Sequence, residues 1–215
     1  MVSARPLTPA ALVDELVAAI TARADGRRWT RVAVDGADAA EPGAVADALV
    51  APLRLLGHPV LRVRARDFLR PASVRLEYGH TDAESYLWGW LDEAGLRREV
   101  LEPLGPDGTG RVLPSLWDTA RDRATRAAYT TLPEGGVLLL DGPLLLGKGL
   151  SLELSVHLWL SPGALRRRTP AEDAWTLEAL TRYADEVGPA TEADLLVRYD
   201  HPAHPALVEP EHRRT

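Results

Sequence analysis

The sequence contains no cysteine, which excludes disulfide bonds, thiolate metal sites and cysteine nucleophiles. It also has only one lysine, Lys148, so arginine carries nearly all of its positive charge. Aromatic residues are scarce at 6%, and there is no run of about 18 apolar residues that could span a membrane. The absence of cysteine fits a cytoplasmic protein, and we expect that location.

Charge and composition narrow the classes of partner. The formal net charge of −6 argues against a general nucleic-acid surface, which needs a basic face. Hydrophobic content of 46% and charged content of 26% are ordinary for a globular protein. Asp14 and Glu15 interrupt the apolar positions near the amino terminus, so we expect neither a secretory signal nor a membrane partner. The 215 residues suffice for one α/β domain with a sizeable core, and we predict a single domain over 1–215.

Hydrophobic periodicity predicts alternating helices and strands along the chain. The predicted helical regions are an amino-terminal helix within 1–28, then 44–56, 82–104 with a break near Gly95, and 162–190. The predicted strands are 31–34, 59–65, 137–141, 154–161 and 193–200, with two short strands or a hairpin across 110–132 and a polar tail after the last strand. This alternation predicts an α/β fold with a mainly parallel sheet flanked by helices.

Acidic residues follow three of the predicted strands. Asp35, Asp67 and Asp141 lie at or near strand ends, and Asp35 and Asp141 are each followed by glycine. Ligands of parallel sheets bind outside the carboxyl ends of the strands. The sequence therefore predicts that these charged residues converge on a pocket at that edge.

The segment VAVDGADAAEPGAVADAL, residues 32–49, has the order strand, turn and helix that a phosphate-binding loop requires. Aligned with G-x-x-x-x-G-K-[ST], Gly36 matches the first glycine, while Glu41, Pro42 and Gly43 replace the second glycine, the lysine and the hydroxyl residue. Proline supplies neither an N–H nor a charge, and glycine supplies no hydroxyl for magnesium. Either the segment is a decayed phosphate loop, or it is an ordinary turn with Pro42 starting a helix.

Several segments, taken in order, resemble the uridine kinase-like branch of P-loop kinases, in the divergent form common in actinobacteria. Besides residues 32–49, they are VLRVRARDFLRPASVRLEYG, LRREVLEPLGPDG, GVLLLDGPLLL, VHLWLSPGALRRR and EADLLVRYDHPAHPALV. The resemblance covers roughly 31–208. It implies a three-layer P-loop NTPase-like fold, a lid-like helical region at 162–190, and Mg-ATP as cofactor if the protein is active, with no cofactor otherwise.

The resemblance also implies site residues. Cofactor phosphates would contact the loop at Gly36 and Gly43 and the lid arginines, which are Arg166, Arg167 and Arg168. Their alternative interpretation is an ordinary turn and a solvated charge run at the end of a helix.

Two carboxylates carry the implied chemistry. Asp141 would reach magnesium from the end of its strand, or else only form a turn with Gly142. Arg66 stands at the position of the family's general base, and Asp67 lies one residue late, so Asp67 is either a substrate-facing base or a loop residue.

Two other features have alternative interpretations. Lys148 could replace the missing loop lysine, or it could be a solvated loop residue. Tyr86, Trp88 and Trp90 could stack on a base, or they could belong to a core or an interface.

Three functions remain open from the sequence. The first is a nucleotide- or nucleoside-binding or regulatory pseudokinase with a degenerate loop. The second is an active ATP-dependent nucleoside or small-molecule kinase. The third is a structural homo-oligomer subunit that uses the Trp-rich helix as its interface.

Overall fold

The computed structural model describes residues 3–209 of the chain. Its α-helices are α1 Pro9–Ala24, α2 Pro42–Leu55, α3 Ala72–Arg75, α4 Glu93–Leu96, α5 Pro162–Arg168, α6 Thr176–Glu186 and α7 Pro189–Glu192. None of the helices described combines the length and apolar character needed to cross a bilayer.

The strands fall into one large sheet and two small hairpins. They are β1 Ser3–Pro6, β2 Trp29–Asp35, β3 Val60–Arg64, β4 Arg111–Val112, β5 Trp117–Asp118, β6 Arg123–Ala124, β7 Thr130–Thr131, β8 Gly136–Gly142, β9 Leu154–Trp159, β10 Leu195–Arg198 and β11 Ala206–Glu209. The large sheet has the order β1-β11-β10-β9-β2-β8-β3. Strands β3, β8, β2, β9 and β10 are parallel, while β11 and β1 add antiparallel pairs at one edge. The predicted α/β fold with a mainly parallel sheet is confirmed.

The centre of the sheet is buried on both faces. All seven residues of β2 and all seven of β8 are buried, because helices cover one face and the 91–104 region covers the other. Helices α1 and α2 pack on the first face through residues such as Leu16, Ile20, Leu49 and Leu53. Such double burial explains the continuous apolar runs of these strands, which are typical of parallel sheets.

The amino-terminal prediction is wrong in part. Region 1–28 was expected to hold only a helix, but residues 3–6 form β1 ahead of α1. The expected polar tail is also wrong, because 206–209 form β11, which pairs with both β1 and β10. Each strand is only four residues long, and it is specified by a partner about 200 residues away in the chain. No local period can reveal such a pairing.

The predicted break within 82–104 occurs earlier than Gly95. Residues 85–89 and 97–101 form π-helical turns, and Leu91 between them makes an antiparallel bridge to Leu69. Gly95 instead lies inside α4, where its N–H donates to the capping carboxylate of Asp92 at 2.9 Å. A Cβ on Gly95 would lie 2.6 Å from that carboxylate, so glycine here allows the cap to close. Two short strands or one hairpin were predicted across 110–132, and the structure has two antiparallel pairs of two-residue strands there, β4–β7 and β5–β6.

Candidate functional site

The loop between β2 and α2 uses much of its hydrogen-bonding capacity internally. Gly36 donates its N–H to Gly142 O at 3.3 Å, which extends the pairing of β2 with β8. In the 3₁₀ turn that follows, Ala40 donates to Ala37 O at 2.7 Å and Glu41 donates to Asp38 O at 2.9 Å. A phosphate-binding loop works by pointing successive free N–H groups at the ligand. These three N–H groups are already committed.

Glu41 adopts the backbone conformation of a glycine. Its φ of 53° and ψ of 52° lie in the left-handed region, which costs an L-residue about 1 kcal/mol relative to glycine. Pro42 then begins α2 at its first helical position, where a missing N–H does no harm. Pro42 therefore does start a helix, as one of the two interpretations of this segment expects. The backbone at Glu41, the position of the second glycine in the motif, nevertheless has a conformation that favours glycine.

Arg62 of β3 forms an ion pair with the carboxylate at the end of β8. Its Nη2 lies 2.7 Å from Asp141 Oδ1, and its Nε donates to Asp47 Oδ1 at 2.8 Å. The same guanidinium donates to Gly43 O at 3.3 Å and to Leu139 O at 3.2 Å. Burial raises the pKa of Asp141, and the charge and hydrogen bond of Arg62 act in the opposite direction. Arg62 thus supplies Asp141 with an internal cation, which Asp141 shares with Asp47.

These residues do not fit a magnesium ion. Gly43 supplies no hydroxyl, and a Cβ there would lie 3.0 Å from Asp141 Oδ2, so a serine or threonine would crowd the carboxylate. A cation at Asp141 would also have to compete with the bound guanidinium of Arg62. Within residues 3–209, no group of three or more histidine, aspartate and glutamate side chains is placed to hold a metal ion.

A cleft of about 340 Å³ opens beside this ion pair, and we call it the loop cleft. Its charged lining consists of the carboxylates Asp38, Glu41, Asp47 and Asp141 and the guanidinium groups of Arg64 and Arg66. Four carboxylates against two lining arginines repel a polyphosphate more than they attract it, even with Arg62 beside them. The charge of the loop cleft therefore does not favour a bound phosphate.

The pKa of Asp38 is raised by its surroundings in the loop cleft. Desolvation by the surrounding chain raises its pKa, as do the charges of Asp173 and Asp141, and Arg66 opposes them. A carboxyl whose folded pKa is raised contributes stability that is present at low pH and is lost as pH rises through the folded pKa. Ionised Asp38 therefore makes the folded state less stable at neutral pH.

We expect Asp38→Asn to stabilise the protein at pH 7 and to have a smaller effect at pH 4. The variant lacks the charge that wild-type Asp38 carries at pH 7, whereas at pH 4 the wild-type carboxyl is already partly protonated. Urea unfolding of both proteins at the two pH values measures the difference. Asp14→Asn on α1, far along the chain from the loop cleft, is the control. A stabilisation by Asp38→Asn that grows as pH falls would contradict this account.

Asp67 lies beside the loop cleft and is not one of its lining residues. It belongs to the 3₁₀ turn 65–68, where burial raises its pKa against the opposing charges of Arg66 and Arg64. Its neighbour Arg66 does line the loop cleft. A substrate-facing role for Asp67 stays a prediction.

The three candidate lid arginines at the end of α5 have different surroundings. Arg168 donates to Tyr199 O at 2.9 Å and lies over the Tyr199 ring, which ties it to the sheet edge. Arg166 and Arg167 are exposed, and Arg166 lines a second, separate cavity. None of the three lines the loop cleft. Their contact with cofactor phosphates stays a prediction.

Lys148 is neither a solvated residue nor a cation of the loop cleft. Its side chain is 3% exposed and its Nζ donates to Leu87 O at 3.0 Å and to Glu93 Oε1 at 3.1 Å. It also lies over the ring of Trp88 at 5.0 Å. The only lysine therefore joins the 147–149 loop to the 85–96 region.

The aromatic residues of this region pack chiefly on one another. Tyr86 contacts Trp90 and Trp175 edge-on, each with 5.1 Å between ring centroids, and Trp90 lies 5.4 Å from Trp175. Trp88 is 38% exposed. The cluster packs the chain before α6 against the 85–90 turn. These aromatic residues therefore contribute to the packing of the protein, as the core interpretation expects. Its use as an interface stays a prediction.

Sequence reasoning missed two parts of the site. Arg62 was missed because the sequence shows it only as one polar residue of the predicted strand 59–65. Its contact with Asp141 depends on the pairing of β3 with β8, which the sequence does not show. Asp35 was expected near a ligand but is fully buried, where it accepts hydrogen bonds from Leu145 N–H at 2.9 Å and from His157. The signal for His157 was present as the one histidine in the otherwise mostly apolar run LSVHLWL.

Comparisons with known proteins bear on the fold. No protein-family model matches the sequence, and no curated protein matches it. Among solved structures, one titled as a "possible uridine kinase" from Bacillus stearothermophilus superposes with a TM-score of 0.68 at 17% identity, covering 86% of this chain and 96% of that one. This chain has the fold of the uridine kinase-like P-loop kinases.

Two further solved structures share this fold. A "putative fructose transport system kinase" from Silicibacter sp. TM1040 gives a TM-score of 0.56 at 23% identity, with 87% of this chain and 90% of that chain covered. The YGR205w protein gives 0.52 at 11% identity, with coverage of 83% and 76%. At these identities the likeness establishes the P-loop kinase fold, and function has to be argued from the site.

Proposed function

We propose that this protein is a nucleotide- or nucleoside-binding pseudokinase with a regulatory role, which does not transfer phosphoryl groups. The observation that carries the proposal is the ion pair between Arg62 and Asp141, at 2.7 Å. In a P-loop kinase a carboxylate at this strand end helps to bind the metal ion, whereas here it is paired with the guanidinium of Arg62. Phosphoryl transfer depends on cations positioned around the phosphates. Here Arg62 occupies the Asp141 carboxylate that would otherwise help to hold a metal ion.

The loop supports the same proposal. Pro42 offers neither the N–H nor the charge of the motif lysine, and the N–H groups of Gly36, Ala40 and Glu41 bond to the protein's own carbonyls. The exposed Glu41 carboxylate lines the cleft at the start of α2, where the helix dipole would otherwise attract a phosphate. A ligand of the protein is therefore better recognised by its nucleoside than by its phosphates.

We expect Mg-ATP to bind wild-type protein more weakly than about 1 mM, because the loop lacks its cation and the cleft carries excess negative charge. Calorimetric titrations with Mg-ATP, ADP and uridine, each alone, measure this directly. A coupled assay for ADP release with a panel of nucleosides tests turnover. A micromolar dissociation constant for Mg-ATP together with turnover on any nucleoside would overturn the proposal.

The second candidate function is an active kinase with unusual phosphate contacts. The observation that favours it is the pair Arg64 and Arg66, whose guanidinium groups line the loop cleft and suit bidentate phosphate recognition. The same turnover assay separates the two candidates, because only the active kinase releases ADP in proportion to nucleoside.

A further inference from the structure

A second cavity, of about 420 Å³, lies between the carboxyl end of β9 and helices α5, α6 and α7. We call it the β9 cavity. Its walls are mostly apolar, and they include Leu165, Leu177, Leu180 and Pro189. Its charged residues, Arg166 and Asp185, are exposed. The volume falls in the range of small-molecule sites, which are apolar with a few placed polar groups.

Two buried side chains with polar atoms, His157 and Tyr183, line this cavity. His157 of β9 is 7% exposed, and its Nδ1 lies 2.6 Å from Oδ2 of the fully buried Asp35. Within residues 3–209, no hydrogen-bond partner is present for the other ring nitrogen, Nε2. Tyr183 also lines the cavity, and its ring lies 6.4 Å from that of His157.

The surrounding network determines the histidine tautomer. Leu146 donates its N–H to Tyr183 Oη at 2.9 Å, so the single Tyr183 hydroxyl proton is free to be donated to Asp35 Oδ2, at 3.2 Å. An Asp35 carboxylate only accepts, so Nδ1 of His157 carries the proton in their shared hydrogen bond. In the neutral imidazole, Nε2 then carries a lone pair and can accept one hydrogen bond from a donor.

We propose that the β9 cavity binds a neutral, mainly apolar small molecule that donates one O–H or N–H to Nε2 of His157. The apolar walls favour burial of the ligand body, and the fixed tautomer selects a donor over an acceptor. Two sources share this chemistry: a simple hydroxylated ring compound and the base of a nucleoside. The β9 cavity shares no lining residue with the loop cleft, although Ala37 of the same loop lines it, and the contact proposed at His157 does not depend on ATP binding.

A matched ligand pair tests the proposal on unmodified protein. We expect 4-methylphenol to bind saturably and its methyl ether, which lacks the donor, to bind at least about fivefold more weakly. Titration followed by ¹⁵N NMR of the imidazoles should show His157 protonated at Nδ1 before ligand is added and Nε2 shifted afterwards. Equal affinity for the two ligands, or no binding of the phenol, would overturn the proposal.

Protein variants locate the binding. Ala184→Phe narrows the cavity from the exposed side of α6 and leaves the Asp35 network intact, so it should abolish phenol binding. Glu178→Phe places the same side chain on the same helix at an exposed position that does not line the cavity, and it should bind as wild type. Unchanged binding by a folded Ala184→Phe variant would contradict the site.

Uridine, whose base carries one ring N–H, is the second ligand arm. Competition between uridine and 4-methylphenol would identify a nucleobase as the source of the donor. Phenol binding without competition from uridine would identify a simple hydroxylated compound. Loss of Mg-ATP binding or of turnover has no bearing on this outcome, so the two proposals fail separately.

Discussion

Four substitutions in the loop cleft are expected to raise the affinity for Mg-ATP on the order of a hundredfold or more. They are Glu41→Gly, Pro42→Lys, Gly43→Thr and Arg62→Gln. The lysine and the threonine each restore an interaction worth roughly 1.5–3 kcal/mol when charge-assisted, and about 2.7 kcal/mol corresponds to a hundredfold in affinity. The measurement is calorimetric ATP affinity of parent and variant, with circular dichroism to establish folding.

Two of the four changes follow from the structure. Glu41 already has a left-handed backbone, so glycine relieves its strain while removing a carboxylate from the cleft. Arg62 is also replaced, because its ion pair fixes the position of the Asp141 carboxylate. A Cβ at residue 43 would lie only 3.0 Å from Asp141 Oδ2, so the threonine side chain needs that carboxylate to move. The variant without Arg62→Gln should therefore gain less than the complete one.

Pro9→Lys provides the matched control for this repair. Pro9 also occupies the first position of a helix, α1, so the change places a lysine at an equivalent helix start away from the cleft. We expect no gain in ATP affinity from it. If the folded four-residue variant binds no better than Pro9→Lys, residues 36–43 are not a decayed phosphate loop.

Glu153→Ala is expected to lower the free energy of unfolding by about 3–5 kcal/mol, since it removes one partner of a buried ion pair. Both side chains of the Arg31–Glu153 pair are about 10% exposed, at 9% and 11%. Arg31 Nη2 and Nε lie 2.6 Å and 3.1 Å from the Glu153 carboxylate, which also accepts the Arg31 backbone N–H at 2.6 Å. The loss is large against a typical domain stability of about 5–15 kcal/mol.

Urea and thermal unfolding, followed by circular dichroism, measure the effect. Glu134→Ala is the control, because its pair with Arg28 has a similar N–O distance of 2.7 Å but side chains 45% and 67% exposed. Exposed pairs contribute at most about 1 kcal/mol. The double variant Arg31→Met with Glu153→Leu should recover most of the loss, because no buried charge is left unpaired. Equal losses from Glu153→Ala and Glu134→Ala would show that burial of the pair is unimportant.

The predictions that held depend on short-range patterns. The apolar runs of β2 and β8 and the spacing of helices between strands fix the α/β class, since double burial demands such runs. The amino-terminal helix predicted within 1–28 is present as α1, which begins at Pro9 after Thr8, whose hydroxyl accepts the N–H of Ala11 at 3.1 Å. These features depend on neighbours within one or two turns, which the sequence displays directly.

The predictions that failed depend on partners distant in the chain. Strand β1 has no signal of its own, because its pairing partner lies near the opposite end of the described chain. Lys148 looked like a loop cation, yet Glu93 and Leu87, more than 50 residues away, hold it in the core. A side chain's charge can be read from the sequence, but its partner cannot.

The sequence by itself determined the fold class and the chemical defects of the loop, because Pro42 lacks an N–H and Gly43 lacks a hydroxyl in any conformation. Only the tertiary structure decided which partners the charged side chains Asp141 and Asp35 contact. It paired Asp141 with Arg62 across two strands, and it buried Asp35 against His157, which lines the β9 cavity. The reason is physical: covalent composition fixes which interactions a residue can make, and the packing of distant strands fixes which of them it does make.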